Sequence, residues 1–132
     1  MFSIDEKNPV PAQDKKIKII VENTGRSAAK DCKGYIILGN RRNRICWTTV
    51  TERPDATIKP DNNELLELCA FLTAAEGCHN SILIPDETGW KNSKCITPGP
   101  SKEITVLVTS ENADPVEANI TIDFDRKEIE FD

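Results

Sequence analysis

Apolar and polar residues alternate along several short stretches of the chain, a period of two that is typical of β-strands with one buried face. The alternation is clearest over 102–110 and 117–125. Runs over 16–22, 32–38 and 44–50 are also rich in the β-branched residues that fit a pleated sheet. Clusters of Gly, Pro, Asn and Asp separate these runs and mark turns. The pattern predicts an all-β chain of about seven to nine strands.

The segment 64–77 is the one place where helix and strand compete. Its Leu, Glu and Ala residues are good helix formers, and Gly77 suits the C-terminal end of a helix. Alternation nevertheless places Leu66, Leu68, Ala70 and Leu72 on one face, and the neighbouring segments are β-rich. We therefore predict a strand.

The remaining connections are predicted from their turn-forming residues. A turn is expected over 39–43, a mostly irregular loop over 51–63, and a second loop over 86–93. Short strands are expected over 81–85 and over 126–132, the latter at a sheet edge.

Short strands joined by turns predict one immunoglobulin-like antiparallel β-sandwich. The 132 residues are close to the commonest size of a single domain. We assign 1–14 to a flexible N-terminal linker, because Asn8-Pro9-Val10-Pro11 is typical of linkers, and 15–132 to the sandwich. The predicted inner face consists of Ile19, Val21, Ile36, Leu38, Leu66, Leu68, Val106, Val108, Ile120 and Ile122.

The turn Asn23-Thr24-Gly25, followed by Ala28, Ala29 and a second apolar run, resembles the opening of CARDB-type immunoglobulin-like domains of bacterial and archaeal surface and membrane proteins. Pro98-Gly99, ahead of the run over 102–110, is similar to a turn before a late strand of those domains. The resemblance covers 15–125. It implies a non-catalytic spacer, adhesion or assembly module within a larger protein, with no catalytic residues to transfer.

The net charge of −5 and the pI near 5.0 argue against nucleic acid as a partner, because binding to phosphates needs clustered Lys and Arg. The one basic cluster, Arg41, Arg42 and Arg44, is a candidate contact for anionic groups. No apolar stretch approaches the roughly 18 residues of a membrane span, so we expect no direct membrane insertion of this segment. Attachment to a membrane protein through flanking sequence remains compatible with the pattern.

The five cysteines contain no Cys-x-x-Cys pair, which argues against a structural zinc site. We expect them to be mainly reduced and structural, which favours a cytoplasmic setting over an extracellular one. Strand alternation places Cys32 on the same face as Ile36, and Cys46 on the face opposite Trp47. An alternative set of metal ligands consists of Cys69, Cys78, His79 and Cys95.

No nucleophile, base and orienting group can be assembled from the sequence, so we predict that the protein is not an enzyme and needs no cofactor or metal. The predicted function is an interaction or structural module whose partner is another protein or a flanking domain of the same chain. Trp47 is expected in the core, whereas Trp90, placed in a polar loop, is a candidate surface contact. The alternative functions are carbohydrate binding through Trp90 and metal binding through the Cys and His set. Calcium could also be bound by oxygen ligands from the acidic run 61–64 and from the acidic tail Asp123, Asp125, Glu128, Glu130 and Asp132.

Overall fold

A computed structural model of the chain describes residues 2–4, 10–13, 16–48, 52–71 and 81–132. These residues form two antiparallel sheets that pack face to face, and none of them lies in a helix. The prediction of an antiparallel β-sandwich is confirmed. Within the described ranges, no helix has the length and apolar character to cross a membrane.

The described residues contain fourteen strand segments, more than the seven to nine predicted, because several are very short. In chain order they are β1 (Phe2–Ile4), β2 (Val10–Gln13), β3 (Lys16–Asn23), β4 (Ala29–Leu38), β5 (Arg41–Ile45), β6 (Trp47–Thr48), β7 (Glu52–Arg53), β8 (Ala56–Ile58), β9 (Asn63–Phe71), β10 (Ile82–Asp86), β11 (Gly89–Ile96), β12 (Glu103–Thr109), β13 (Val116–Asp123) and β14 (Glu128–Phe131).

The first sheet has the order β1-β3-β9-β10-β11, with β2 beside β3 and the β6–β7 pair beside β9. The second sheet has the order β14-β13-β12-β4-β5, with β8 beside β4. Strands β3 and β9 pair in one sheet, while β4, β12 and β13 pair in the other, which is the pairing of the inner strands in immunoglobulin-like sandwiches. The β10–β11 hairpin, which follows β9 in the chain, extends the first sheet beyond β9.

The core lies between the sheets and contains nearly all of the predicted inner face. Nine of the ten predicted residues are at most 1% exposed, and Leu38 is partly buried against the same cluster. Trp47 is fully buried, as predicted, and its Nε1 donates a hydrogen bond to the Cys32 carbonyl at 2.9 Å. Cys32 belongs to the core cluster, whereas Cys46 is buried outside it. The alternation in the sequence therefore reports the inner face correctly.

Residues predicted as a linker take part in the first sheet. Ile4 pairs with Val21 and is 8% exposed, and β2 pairs with the start of β3. The described part of 1–14 is therefore not a free linker. The physical reason is that β3 offers an unpaired edge, and a proline such as Pro11 is tolerated in an edge strand.

Two predicted turns are shorter than expected. The turn after β4 is Gly39-Asn40 alone, with Gly39 at a φ of 61°, so the arginines predicted in it lie in β5. The predicted loop 86–93 is a turn at 87–88 followed by β11, so Trp90 lies in a strand. Segment 64–77 is a strand as far as residue 71, as predicted, and 72–77 lies outside the described residues.

The Asn23-Thr24-Gly25 turn is held by the buried side chain of Asn23, which is 1% exposed. Its Oδ1 accepts from the Gly25 amide at 2.9 Å. Its Nδ2 donates to the carbonyls of Ser27 and Ile58, both at 2.8 Å. The Asn23 side chain thus connects the β3–β4 turn to β8, and these three hydrogen-bond partners are all backbone groups.

At Gly34 the second sheet packs closely against Leu66 of the first sheet. A Cβ added at this position would collide with Leu66 Cδ1, and Leu66 is fully buried. We expect Gly34→Ala to lower the free energy of unfolding by about 1–3 kcal/mol, because the core must shift to admit the methyl group. Urea unfolding followed by far-ultraviolet circular dichroism measures this loss.

The matched control for Gly34 is Gly99→Ala, where an added Cβ meets nothing within 4 Å. Its free energy of unfolding should change by no more than about 0.5 kcal/mol. In the double variant Gly34→Ala with Leu66→Ala, the loss should be smaller than the sum of the single losses, because the added methyl group fills part of the new cavity. Equal losses for Gly34→Ala and Gly99→Ala would contradict the close sheet packing.

Candidate functional site

The predicted arginine cluster is divided between the two faces of β5. Arg42 and Arg44 pair with Ile37 and Tyr35 of β4 and share the outer face of the second sheet. Arg41 pairs with Leu38 and falls on the opposite side of the strand. The three guanidinium groups therefore do not converge on one anion.

The two outward arginines already have partners. The Arg42 guanidinium lies over the Tyr35 ring, 5.2 Å from its centroid, in a cation–π contact. Arg44 donates to an oxygen of the Asp55 carboxylate and to the Pro54 carbonyl. Arg44 therefore connects β5 to the loop before β8, whereas Arg42 is exposed and available for a further contact.

Trp90 lies on the other sheet, so it does not form one site with the arginines. It is half-buried in the edge strand β11, and Lys16 Nζ lies 5.0 Å from the centroid of its ring. A sugar ring stacking on that face of the indole would have to displace the Lys16 ammonium group. This arrangement gives little support to Trp90 as an open carbohydrate platform.

The predicted Cys and His set is divided as well. Cys69 is fully buried and Cys95 is exposed, while Cys78 and His79 lie outside the described residues. Across 2–4, 10–13, 16–48, 52–71 and 81–132, no three His, Cys, Asp or Glu side chains are close enough to hold a metal ion. The acidic run 61–64 borders a polar cleft of about 350 Å³ near β8.

Burial protects two of the thiols from reaction. Burial raises the pKa of the Cys69 thiol to about 12 and also raises that of Cys32. We expect iodoacetamide at pH 8 to leave both unmodified in the native protein and to modify both in urea, with peptide mapping as the measurement. Rapid native labelling of Cys69 would contradict its placement in the core. For the whole chain, whose five cysteines we expect to be mainly reduced, thiol titration of the unfolded protein should recover close to five groups.

The outer face of the second sheet has an apolar centre. Tyr35, Ile37 and Leu107 point outward, because the strand neighbours of each lie in the core. Leu107 is only 5% exposed and yet lies outside the core cluster, while Tyr35 and Ile37 are half-buried. A sheet face normally exposes polar residues to water, so this patch is a candidate contact surface.

Cross-strand pairing arranges the outer face in two rows that run across the sheet. We call these rows the Arg42 row and the Arg44 row. The Arg42 row is Arg42, Ile37, Thr105, Asn119 and Asp132. The Arg44 row is Arg44, Tyr35, Leu107 and Glu117.

Charge changes sign from one side of this face to the other. The β5 side carries Arg42 and Arg44, with Lys33 on the adjacent β4. The opposite side is acidic and comprises Glu117, Asp123, Glu128, Glu130 and Asp132. The outer face is therefore basic at β5 and acidic along β13 and β14. The apolar patch lies between these two sides, and Glu103 at the start of β12 borders it.

The sequence contains a signal for this surface, although alternation alone predicts only the inner faces. In the runs 32–38 and 102–110, Tyr35, Ile37 and Leu107 are apolar residues at positions where alternation calls for polar ones. Their convergence depends on β4 pairing with β12, more than 60 residues later, which periodicity alone does not predict.

Comparison with protein-family models, with curated proteins and with solved structures finds no match to this chain.

Proposed function

We propose that the protein is a non-catalytic interaction or structural module that contacts a protein partner through the outer face of the second sheet. The observation that carries the proposal is the outward apolar patch of Tyr35, Ile37 and Leu107 between a basic and an acidic border. An apolar centre with a charged rim is the usual composition of a protein contact surface.

The roles of the distinctive side chains support a structural rather than a chemical task. Asn23 uses its amide to hold the β3–β4 turn, Trp47 donates to Cys32, and Arg44 bonds to Asp55. The Cys69 thiol is buried with a raised pKa of about 12, which keeps it protonated near neutral pH. These side chains therefore stabilise the fold.

The Asn23 turn and the immunoglobulin-like strand pairing fit the proposal of a CARDB-like domain. Such a module would act as a spacer or assembly unit in a larger or membrane-attached protein, with flanking domains among its contacts. Placement in a reducing compartment belongs to the same proposal.

Site-specific photo-cross-linking in the native host tests the contact surface. A photoreactive residue replaces Ile37 on the outer face, and a matched variant carries it at the exposed Lys94 of β11. We expect discrete protein adducts, identified by mass spectrometry, from position 37 and few from position 94. Adducts only from position 94, or none from either, would overturn the proposed surface.

A further inference from the structure

The charge pattern of the outer face is complementary to itself. The sheet order places β12 in the centre, with β4 and β5 on one side and β13 and β14 on the other. A twofold axis parallel to the strands and passing over β12 exchanges β5 with β14 and β4 with β13. This rotation lays the basic side of one copy over the acidic side of the other.

We propose that the partner of this surface includes a second copy of the same chain, which docks face to face about that axis. The inference rests on the proposed function and names the occupant of the same surface.

The residue rows specify which groups meet. In the Arg42 row, Arg42 of one copy lies over Asp132 of the other, next to Glu130, and Thr105 lies over its own counterpart. In the Arg44 row, Leu107 meets Leu107 and Tyr35 faces Glu117. Leu107 and Thr105 thus lie over their own counterparts at the centre, and opposite charges meet at both borders. Glu103, at the start of β12, lies near its own counterpart at one end of the axis.

The charges also favour this axis over a twofold axis that runs across the strands. An axis across the strands would place β5 over β5 and β14 over β14, bringing arginine against arginine and carboxylate against carboxylate. Like charges brought together in an interface suppress an association. The described residues give Glu117, Glu128 and Glu130 no ion pair within their own chain, so they are available for a second copy.

The area of the outer face is typical of a weak, reversible association between two copies. Five strands about 4.8 Å apart and seven residues of about 3.4 Å each give a face roughly 24 Å by 24 Å. The flat area of roughly 500–600 Å² on each copy corresponds to the lower end of specific interfaces. We expect a reversible dimer with a dissociation constant in the micromolar range that weakens with salt, because its borders are charged.

Sedimentation velocity of the full chain between about 10 and 500 µM, at low and high salt, measures the association. The wild type should dimerise, and both Arg42→Glu and Asp132→Lys should weaken the dimer by about tenfold or more, because each places like charges opposite one another. The control Lys91→Glu makes a similar charge change on exposed β11, in the other sheet, and should dimerise as the wild type does.

The decisive variant carries both Arg42→Glu and Asp132→Lys, because Asp132 lies in the same row as Arg42 and the exchange restores opposite charges across the proposed axis. Its dissociation constant should return to within a few-fold of the wild-type value. A wild type that remains monomeric, a dimer unaffected by either single change, or a double variant that does not recover would each overturn the inference. Cross-linking of Ile37 to a different protein, with a monomeric purified chain, would overturn this inference and leave the proposed function standing.

Discussion

Replacing Asn23 by Ala is expected to lower the free energy of unfolding by about 3–5 kcal/mol, because the change removes three hydrogen bonds to backbone groups. The carbonyls of Ser27 and Ile58 lose a donor, and the Gly25 amide loses its acceptor. Asn23 is 1% exposed, so water cannot easily replace the lost partners. Urea unfolding monitored by circular dichroism measures the loss.

The change Asn23→Asp separates the contribution of the acceptor Oδ1 from that of the donor Nδ2. A carboxylate can still accept from Gly25, but it places negative charge against the carbonyl oxygens of Ser27 and Ile58. We expect a loss at neutral pH at least as large as that of Asn23→Ala. The control Asn92→Asp adds the same charge at an exposed position with only a long contact of 3.5 Å to Thr88, and should have little effect. Similar stabilities for the two Asp variants would contradict the role of Asn23.

Replacing Trp47 by Ala is expected to cost about 3–5 kcal/mol of unfolding free energy, because Trp47 is fully buried and its removal leaves a large cavity. Trp47→Phe should cost about 1–3 kcal/mol, because a ring remains while the bond from Nε1 to the Cys32 carbonyl is lost. Circular dichroism is the suitable probe, since both changes alter the tryptophan fluorescence.

The control for Trp47 is Trp90→Ala, in the edge strand β11. Trp90 is only half-buried, so its removal should cost clearly less than that of Trp47. A larger loss at Trp90 than at Trp47 would contradict the assignment of Trp47 to the core and of Trp90 to the margin of the first sheet.

The long inner strands were predictable because each buries one face. Ile104, Val106 and Val108 alternate with outward residues, and so do Ile120 and Ile122, so a period of two identified both strands and their inner sides. Even β9, whose composition favours a helix, is a strand up to Phe71, and Leu66 and Leu68 follow the alternation. A register shift opposite Ile17 and Lys18 then brings Cys69 and Phe71, rather than Ala70, into the core. Burial of one face overrode helix propensity there.

The edge strands were not predictable by the same reasoning. In β5 and β11 most side chains are polar or charged, so the sequence predicts a turn or a loop over most of these residues. Their formation depends on backbone pairing with β4 and β10 after tight turns at Gly39 and at 87–88. Backbone hydrogen bonds are nearly independent of the side chain, which is why the sequence carried little trace of these strands.

The candidate surface was predicted only in part. Arg42 and Arg44 were recognised as candidates, but the sequence grouped them with Arg41, which the strand turns to the other side. The apolar and acidic parts of the surface come from β4, β12, β13 and β14, and only the strand register brings them into rows. Long-range register is set by turns and by the fit of the whole core, which a local pattern does not contain.

The most direct test of the contact surface uses the single tyrosine of the chain, because Tyr35 lies at the centre of the proposed face. Protein labelled with 3-fluorotyrosine and 5-fluorotryptophan gives one fluorine resonance for Tyr35 and one for each of Trp47 and Trp90, with the Trp90 signal assigned by Trp90→Phe. Spectra are compared between dilute purified protein, the same protein at high concentration, and dilute protein in extract of its host. The account predicts that the Tyr35 resonance shifts or broadens while that of Trp90 stays unchanged. A change confined to Trp90, with Tyr35 unaffected, would contradict it.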